Sequence, residues 1–146
     1  AYLATLEGQY PSDGKPSFFE VPLVKQAFTR LVPAKLHKVI PQQLGVETPN
    51  QVLDGYLTVS GCKPHDCPSQ SYLALANLQT GALWFFYYNA ALGKNGNQAT
   101  RCFADQPNVS ALPISVQRQV ALLHDSNDDE QLLQRNPWVQ QLSCGQ

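Results

Sequence analysis

The chain has no methionine among its 146 residues, and only 14% of them are Asp, Glu, Lys or Arg, against a usual share of about 25%. No run of about 18 apolar residues occurs, which excludes a transmembrane helix. Ten basic side chains against eleven acidic ones leave a formal charge of -1. That balance excludes broad electrostatic attachment to nucleic acid or to anionic lipid. No C-x-x-C pair, G-x-S-x-G elbow or phosphate-cradling glycine loop is present, so the usual motif routes to an enzymatic assignment are closed.

The remaining composition is that of a globular protein, with 43% hydrophobic and 10% aromatic residues. Gln and Asn supply much of the polarity. Residues 1–146 fit one domain, long enough to bury roughly two-thirds of the surface its unfolded chain would expose. A first residue that is Ala1 rather than methionine predicts that a leader has been removed and the protein exported. Four cysteines, an even number, then predict two disulfides formed in an oxidising compartment.

Residues 1–17 are polar and rich in Gly, Pro and Ser, and read as a flexible arm. Val24, Ala27, Phe28 and Leu31 fall at i, i+3, i+4 and i+7 behind Pro22, the spacing of an amphipathic helix. Leu36, Val39 and Ile40 suggest a second short helix closed by Pro41. Residues 44–50 read as a connection. The period then changes to two. Residues 52–60 and 71–79 read as strands, and Leu83 to Tyr88 as a third, either covered on both faces or with an aromatic outer face that would be a dimer or partner surface. Asn95-Gly96 carries the signature of a tight hairpin turn into a fourth strand at 98–104. Beyond Pro107 and Pro113, Val116, Val120 and Leu123 allow a helix or a strand from Ser115 onward, before the acidic cluster Asp125, Asp128, Asp129 and Glu130. Pro137 opens a last turn with Trp138 and Leu142. The sequon Asn108-Val109-Ser110 reads as a turn.

Between the first two strands lies Ser60-Gly-Cys-Lys-Pro-His-Asp-Cys-Pro-Ser69. Cys62 and Cys67 enclose Lys63, Pro64, His65 and Asp66, and the flanking strands look like arms of one hairpin with this ring at its tip. A disulfide across five positions would contribute only ~2 kcal/mol in the chain-entropy model. Pre-organisation is the more plausible purpose, because a tip frozen in advance loses less entropy on binding. Zinc at Cys62, His65 and Cys67 would need a second ligand pair and free thiolates. Catalysis would need a base oriented by a third group, and His65 and Asp66 are ring neighbours that cannot easily orient each other. His37 and His124 sit in helix-like segments without an evident partner. The remaining reading is a stiff finger offering an imidazole, an ammonium and a carboxylate. An imidazole is well suited to blocking a site made of carboxylates, since it can donate to one and, when protonated, pair with another. Asp66 could instead serve the ring, accepting N–H bonds within the turn.

The decapeptide Gly61-Cys-Lys-Pro-His-Asp-Cys-Pro-Ser-Gln70 resembles the signature loop of the inhibitor of vertebrate lysozyme family. Lys25-Gln-Ala-Phe28, the segment Lys35-Leu-His-Lys-Val39 and the strands beside the ring extend the resemblance over roughly residues 22–90. The resemblance implies an α+β fold, an antiparallel sheet packed with helices, and a protruding disulfide-closed loop. It implies a non-enzymatic inhibitor of c-type lysozyme, without cofactor, in a Gram-negative periplasm. Members that pair make a homodimer an open expectation. His65 would lie between the enzyme's two catalytic carboxylates, flanked by Lys63, Pro64 and Asp66, and so disable both acid and nucleophile. The same scaffold could serve against another peptidoglycan hydrolase, a lytic transglycosylase or a wall-degrading toxin. An enzyme or metal protein built on Cys62, His65 and Cys67 is the rival from a different class. The extension 105–146 has no counterpart in the resemblance, nor has the pair Cys102 and Cys144, which is expected to pin that extension to the sheet. Pro68 stands where a more flexible residue would be expected. The acidic cluster reads as a solvated segment or as a patch for a cationic partner.

Overall fold

The computed structural model describes residues 2–145. Its centre is an antiparallel sheet of six strands: β1 (Val46–Glu47), β2 (Gln51–Leu53), β3 (Tyr56–Cys62), β4 (Gln70–Asn77), β5 (Leu83–Asn89) and β6 (Thr100–Ala104). The order across the sheet is β1, β3, β4, β5, β6, with β2 pairing to β3 beside β1. Five α-helical segments surround it: α1 (Pro22–Leu31), α2 (Gly96–Ala99), α3 (Ile114–Ala121), α4 (Leu132–Arg135) and α5 (Trp138–Gln141). The fold is α+β, as the sequence predicts. No helix among the described residues is long and apolar enough to cross a membrane.

Alternation along the strands divides the interior into two cores. Leu57, Val59, Ala74, Phe85 and Tyr87 face the core closed by α1 and the N-terminal segment. Leu73, Leu75, Trp84, Phe86 and Ala104 face the other, closed by Val116, Val120, Leu132 and Val139 of the C-terminal extension. Leu83 through Tyr88 are all buried, so the aromatic run is interior on both sides rather than a partner surface. On the first side Phe28 of α1 meets Phe85 edge-on, ring centroids 5.2 Å apart, a favoured aromatic arrangement.

Four sequence expectations differ from the structure. The arm expected over 1–17 is docked in its described part, residues 2–17, residue 1 lying outside the described residues: Leu3 and Leu6, three apart on one 3-10 turn, are buried in the first core. Asn50 fastens it, its side chain donating to the Leu6 carbonyl at 3.0 Å and its backbone pairing with Gly8 and Gln9. The second short helix is replaced by a 3-10 turn, Ala34–Leu36, and a wide π-turn, Val39–Gln43, since Pro33 and Pro41 supply no N–H to an α-helical ladder. The strand at 52–60 is broken by Asp54 and Gly55, both at positive φ (47° and 82°), the conformation of a two-residue hairpin turn. Asn95-Gly96 makes no hairpin. Gln98 Oε1 accepts from the Asn95 N–H at 3.3 Å and starts α2. A Cβ on Gly96 would fall 2.1–2.5 Å from the Trp138 ring, so this glycine serves close packing.

Cys102 and Cys144 form a disulfide across 42 positions. Beside it the Gly145 N–H donates to the Cys102 carbonyl and the Ala104 N–H to the Gly145 carbonyl, so the segment at Cys144 and Gly145 is stitched along β6. Replacing both cysteines with alanine is expected to lower stability by up to about 4 kcal/mol in the chain-entropy model. Denaturant unfolding of the double variant checks this; an unchanged midpoint would mean the second core holds the extension without the bond.

Candidate functional site

The β3–β4 register carries the site. Seven consecutive pairs run from Tyr56–Asn77 to Cys62–Ser71, so the segment 63–69 is the tip of a paired ribbon in the middle of the sheet. Cys62 and Cys67 are disulfide-bonded with their Cα atoms 4.8 Å apart. Both sulfurs are therefore consumed, which removes the thiolates that a metal site with His65 requires. Among the described residues no cluster of three or more His, Cys, Asp or Glu side chains could hold a metal.

Two successive turns build the loop. The Asp66 N–H donates to the Lys63 carbonyl at 3.1 Å, closing Lys63-Pro64-His65-Asp66. His65 has φ +64°. Proline at the second position and positive φ at the third are the requirements of a type II turn, with histidine standing where glycine is usual. Outside glycine, this backbone region is sparsely populated and costs on the order of 1–3 kcal/mol unless the surroundings enforce it. Here the ring does so. The second turn follows at once: the Ser69 N–H and hydroxyl both donate to the Asp66 carbonyl, at 3.1 and 3.0 Å. Pro68 lies inside it and stiffens the exit from the ring. At the base, the Lys63 N–H donates to the Gln70 carbonyl, and the Ala90 N–H to the Ser69 carbonyl at 2.9 Å.

The sequence-predicted residues Lys63, Pro64, His65 and Asp66 are thus brought together, all exposed. Lys63, His65 and Asp66 enter no ion pair among the described residues. Asp66 does serve the loop, but through its backbone N–H and carbonyl, and the residue is exposed. His37 and His124 are half-buried and engaged elsewhere: His37 Nε2 lies 2.6 Å from the Val32 carbonyl, and His124 Nδ1 lies 3.3 Å from the Tyr88 hydroxyl.

The loop is seated tightly at its root. A Cβ on Gly61 would lie 2.4 Å from the Leu44 carbonyl and 2.7 Å from the Tyr72 ring. Tyr72 is buried there, and burial, with a lesser contribution from Glu47, pushes its phenol up from the usual value.

Against one flank of the loop opens a groove of about 620 Å³. Thr48, Ser60 and the Cys62–Cys67 disulfide form one wall, and Gln119, Leu123 and Ser126 the other. Sequence reasoning missed these last residues. They lie more than 50 positions from the ring, and nothing local marks them. The acidic cluster next to them is largely committed within the molecule. Arg135 donates to Asp125 at 2.9 Å and to Asp129 at 2.6 Å, and Arg118 pairs with Asp128. The Arg135 guanidinium, helped by the Asn127 N–H and the Asn136 side chain, holds the Asp125 carboxyl well below the usual carboxylate range. A strongly attractive acidic patch is not what these residues form.

With this geometry in view, comparison with known proteins gives one result. The family model described as inhibitor of vertebrate lysozyme (Ivy) matches residues 23–99, more than half of the chain. That stretch contains α1 from its second residue, the β3–β4 hairpin, the ring and β5. Searches of the curated proteins and of the solved structures return no match.

Substituting alanine at Gly61 forces the Leu44 backbone or the Tyr72 ring to move. The expected cost is about 1–3 kcal/mol, the usual range for overpacking. Thermal unfolding of Gly61→Ala measures it; a variant as stable as the parent would mean the loop's root is loosely held.

Proposed function

The chain belongs to the inhibitor of vertebrate lysozyme family, and from that premise we propose that it inhibits a c-type lysozyme by inserting the 62–67 loop into the enzyme's substrate cleft. His65 lies between the two catalytic carboxylates, hydrogen-bonding to one and, when protonated, forming an ion pair with the other. Such a hydrolase needs one carboxyl to protonate the leaving group and the other to attack or stabilise the sugar, so a single imidazole blocks both roles. Lys63 adds positive charge beside it, Pro64 sets the turn, and Asp66 anchors the second turn.

The observation that carries this reading is the conformation of His65. An exposed side chain is held at the third position of a tight turn inside the ring, with a backbone angle that histidine rarely adopts and no intramolecular hydrogen bond or ion pair for its imidazole among the described residues. A loop built merely to connect β3 and β4 has no need of that angle, which a glycine would take without cost. The function is binding without turnover. Two disulfides suit an oxidising compartment, and the periplasm of a Gram-negative cell is the setting we assign.

Lysis of bacterial cell wall by a c-type lysozyme, titrated with the parent protein and with His65→Ala, tests this reading. The parent should abolish lysis near one equivalent. The variant should bind more weakly by over ~2 kcal/mol, about thirtyfold, as for a residue at the centre of an interface. Equal inhibition by both proteins would refute the finger mechanism.

A further inference from the structure

The loop alone is small for a specific complex. Stable protein–protein interfaces engage roughly 20–30 residues a side, and the ring spans only Cys62 to Cys67. Further surface has to come from whatever adjoins the loop. The groove described above shares the ring's own disulfide and Pro68 as part of its lining. A body that receives the finger therefore covers the mouth of the groove.

Two features give that groove a distinct character. Its lining holds no carboxylate, ammonium or guanidinium group among the described residues. Hydroxyls such as those of Thr48, Ser60 and Ser126 and carboxamides from Gln51 and Gln119 line it, with Val46, Leu73, Leu122 and Leu123 supplying apolar surface; His124 adds an imidazole whose Nδ1 lies 3.3 Å from the Tyr88 hydroxyl. Of the charges around it, Arg118 and Arg135 are paired with aspartates, Glu47 accepts from the Ser12 hydroxyl at 2.7 Å, and Lys63 and Asp66 of the ring are exposed. Covering the groove's own lining thus buries no carboxylate, ammonium or guanidinium group, and depletion of charge is the mark of an interface core. The second feature is where the far wall comes from. Residues 119–126 belong to the C-terminal extension, outside the 23–99 stretch that matches the family model. The extension is brought there by α3, which packs Val116 and Val120 into the second core.

We propose that this groove is a second contact surface for the same hydrolase, accepting an uncharged, hydroxyl- or amide-bearing surface loop that borders the enzyme's cleft. The inference rests on the reading of the ring as the inhibitory finger. The ionic tip engages the catalytic carboxylates, and the neutral groove grips the rim beside them. Partner choice is then set by the extension as well as by the ring: lysozymes that share the catalytic carboxylates but carry a charged or bulky rim at this point bind less well.

Hydrogen exchange of the protein, free and bound to a c-type lysozyme, reads the two surfaces separately. The inhibition constants of Ser126→Trp and Gln119→Arg are measured beside it. Both substitutions fill the groove from its rim and leave His65 untouched. Slowed exchange is expected at 62–67 and at 122–126 together, with each variant inhibiting at least about tenfold less well while keeping the parent's melting temperature. Protection confined to the ring, with parent-like inhibition by both variants, overturns the groove and leaves the finger standing. Protection of 122–126 without the ring overturns the finger. Absence of any complex overturns both.

Discussion

The pairing of β3 with β4 is the constraint on which the rest of the molecule depends. Because side chains alternate across a sheet, a slip of one residue would turn every buried residue of a strand to the opposite face. Here Leu57 and Val59 of β3, with Ala74 of β4, must face the first core, while Leu73 and Leu75 must face the second. With both faces buried, the register has no freedom. It brings Cys62 opposite Ser71 and leaves only a short segment to turn the corner. The shape of the exposed ring is thus fixed from below by burial in two cores, before the disulfide adds its share.

The sheet is covered twice, and the covers differ in origin. The first is made by α1 and the docked N-terminal turn, the second by the extension beyond β6. The extension buries Trp84 and Phe86, which would otherwise present a large apolar surface to water, a feature that soluble monomers avoid. The Cys102–Cys144 bond and the Arg135–Asp125 pair then hold its far end and its bend. Through that same bend the extension reaches the flank of the ring, so a stabilising cover also forms a wall of the groove beside it.

Much of this was legible wherever a single local rule decided the outcome. The i, i+3, i+4, i+7 pattern of Val24, Ala27, Phe28 and Leu31 gave α1, and the six-residue, largely aromatic run of β5 marked a strand, with burial on both sides one of the two readings it allowed. Six residues from Cys62 to Cys67 between alternating strands were enough to expect a closed tip. The misses share a physical cause, since each depended on a partner far along the chain. Leu3 and Leu6 lie in a polar, Gly- and Pro-rich context, and only the surface they meet makes them core. Gly96 looked like a turn residue because its real reason, the ring of Trp138, is 42 positions away. Asp54-Gly55 was the real hairpin turn and was overlooked inside a run that alternates on both sides of it. The groove could not be read at all, because its walls meet only after both cores have closed.

The account stands on a loop that holds its binding shape in the absence of a partner. Backbone order parameters for residues 62–67 of the free protein, together with the His65 coupling constants that report φ, test that directly. Values near 0.85, typical of rigid backbone, with a single positive φ at His65, are the predicted result. Order parameters below about 0.6 with a φ averaged over several wells would contradict it, and would mean that the partner, rather than the ring, shapes the finger.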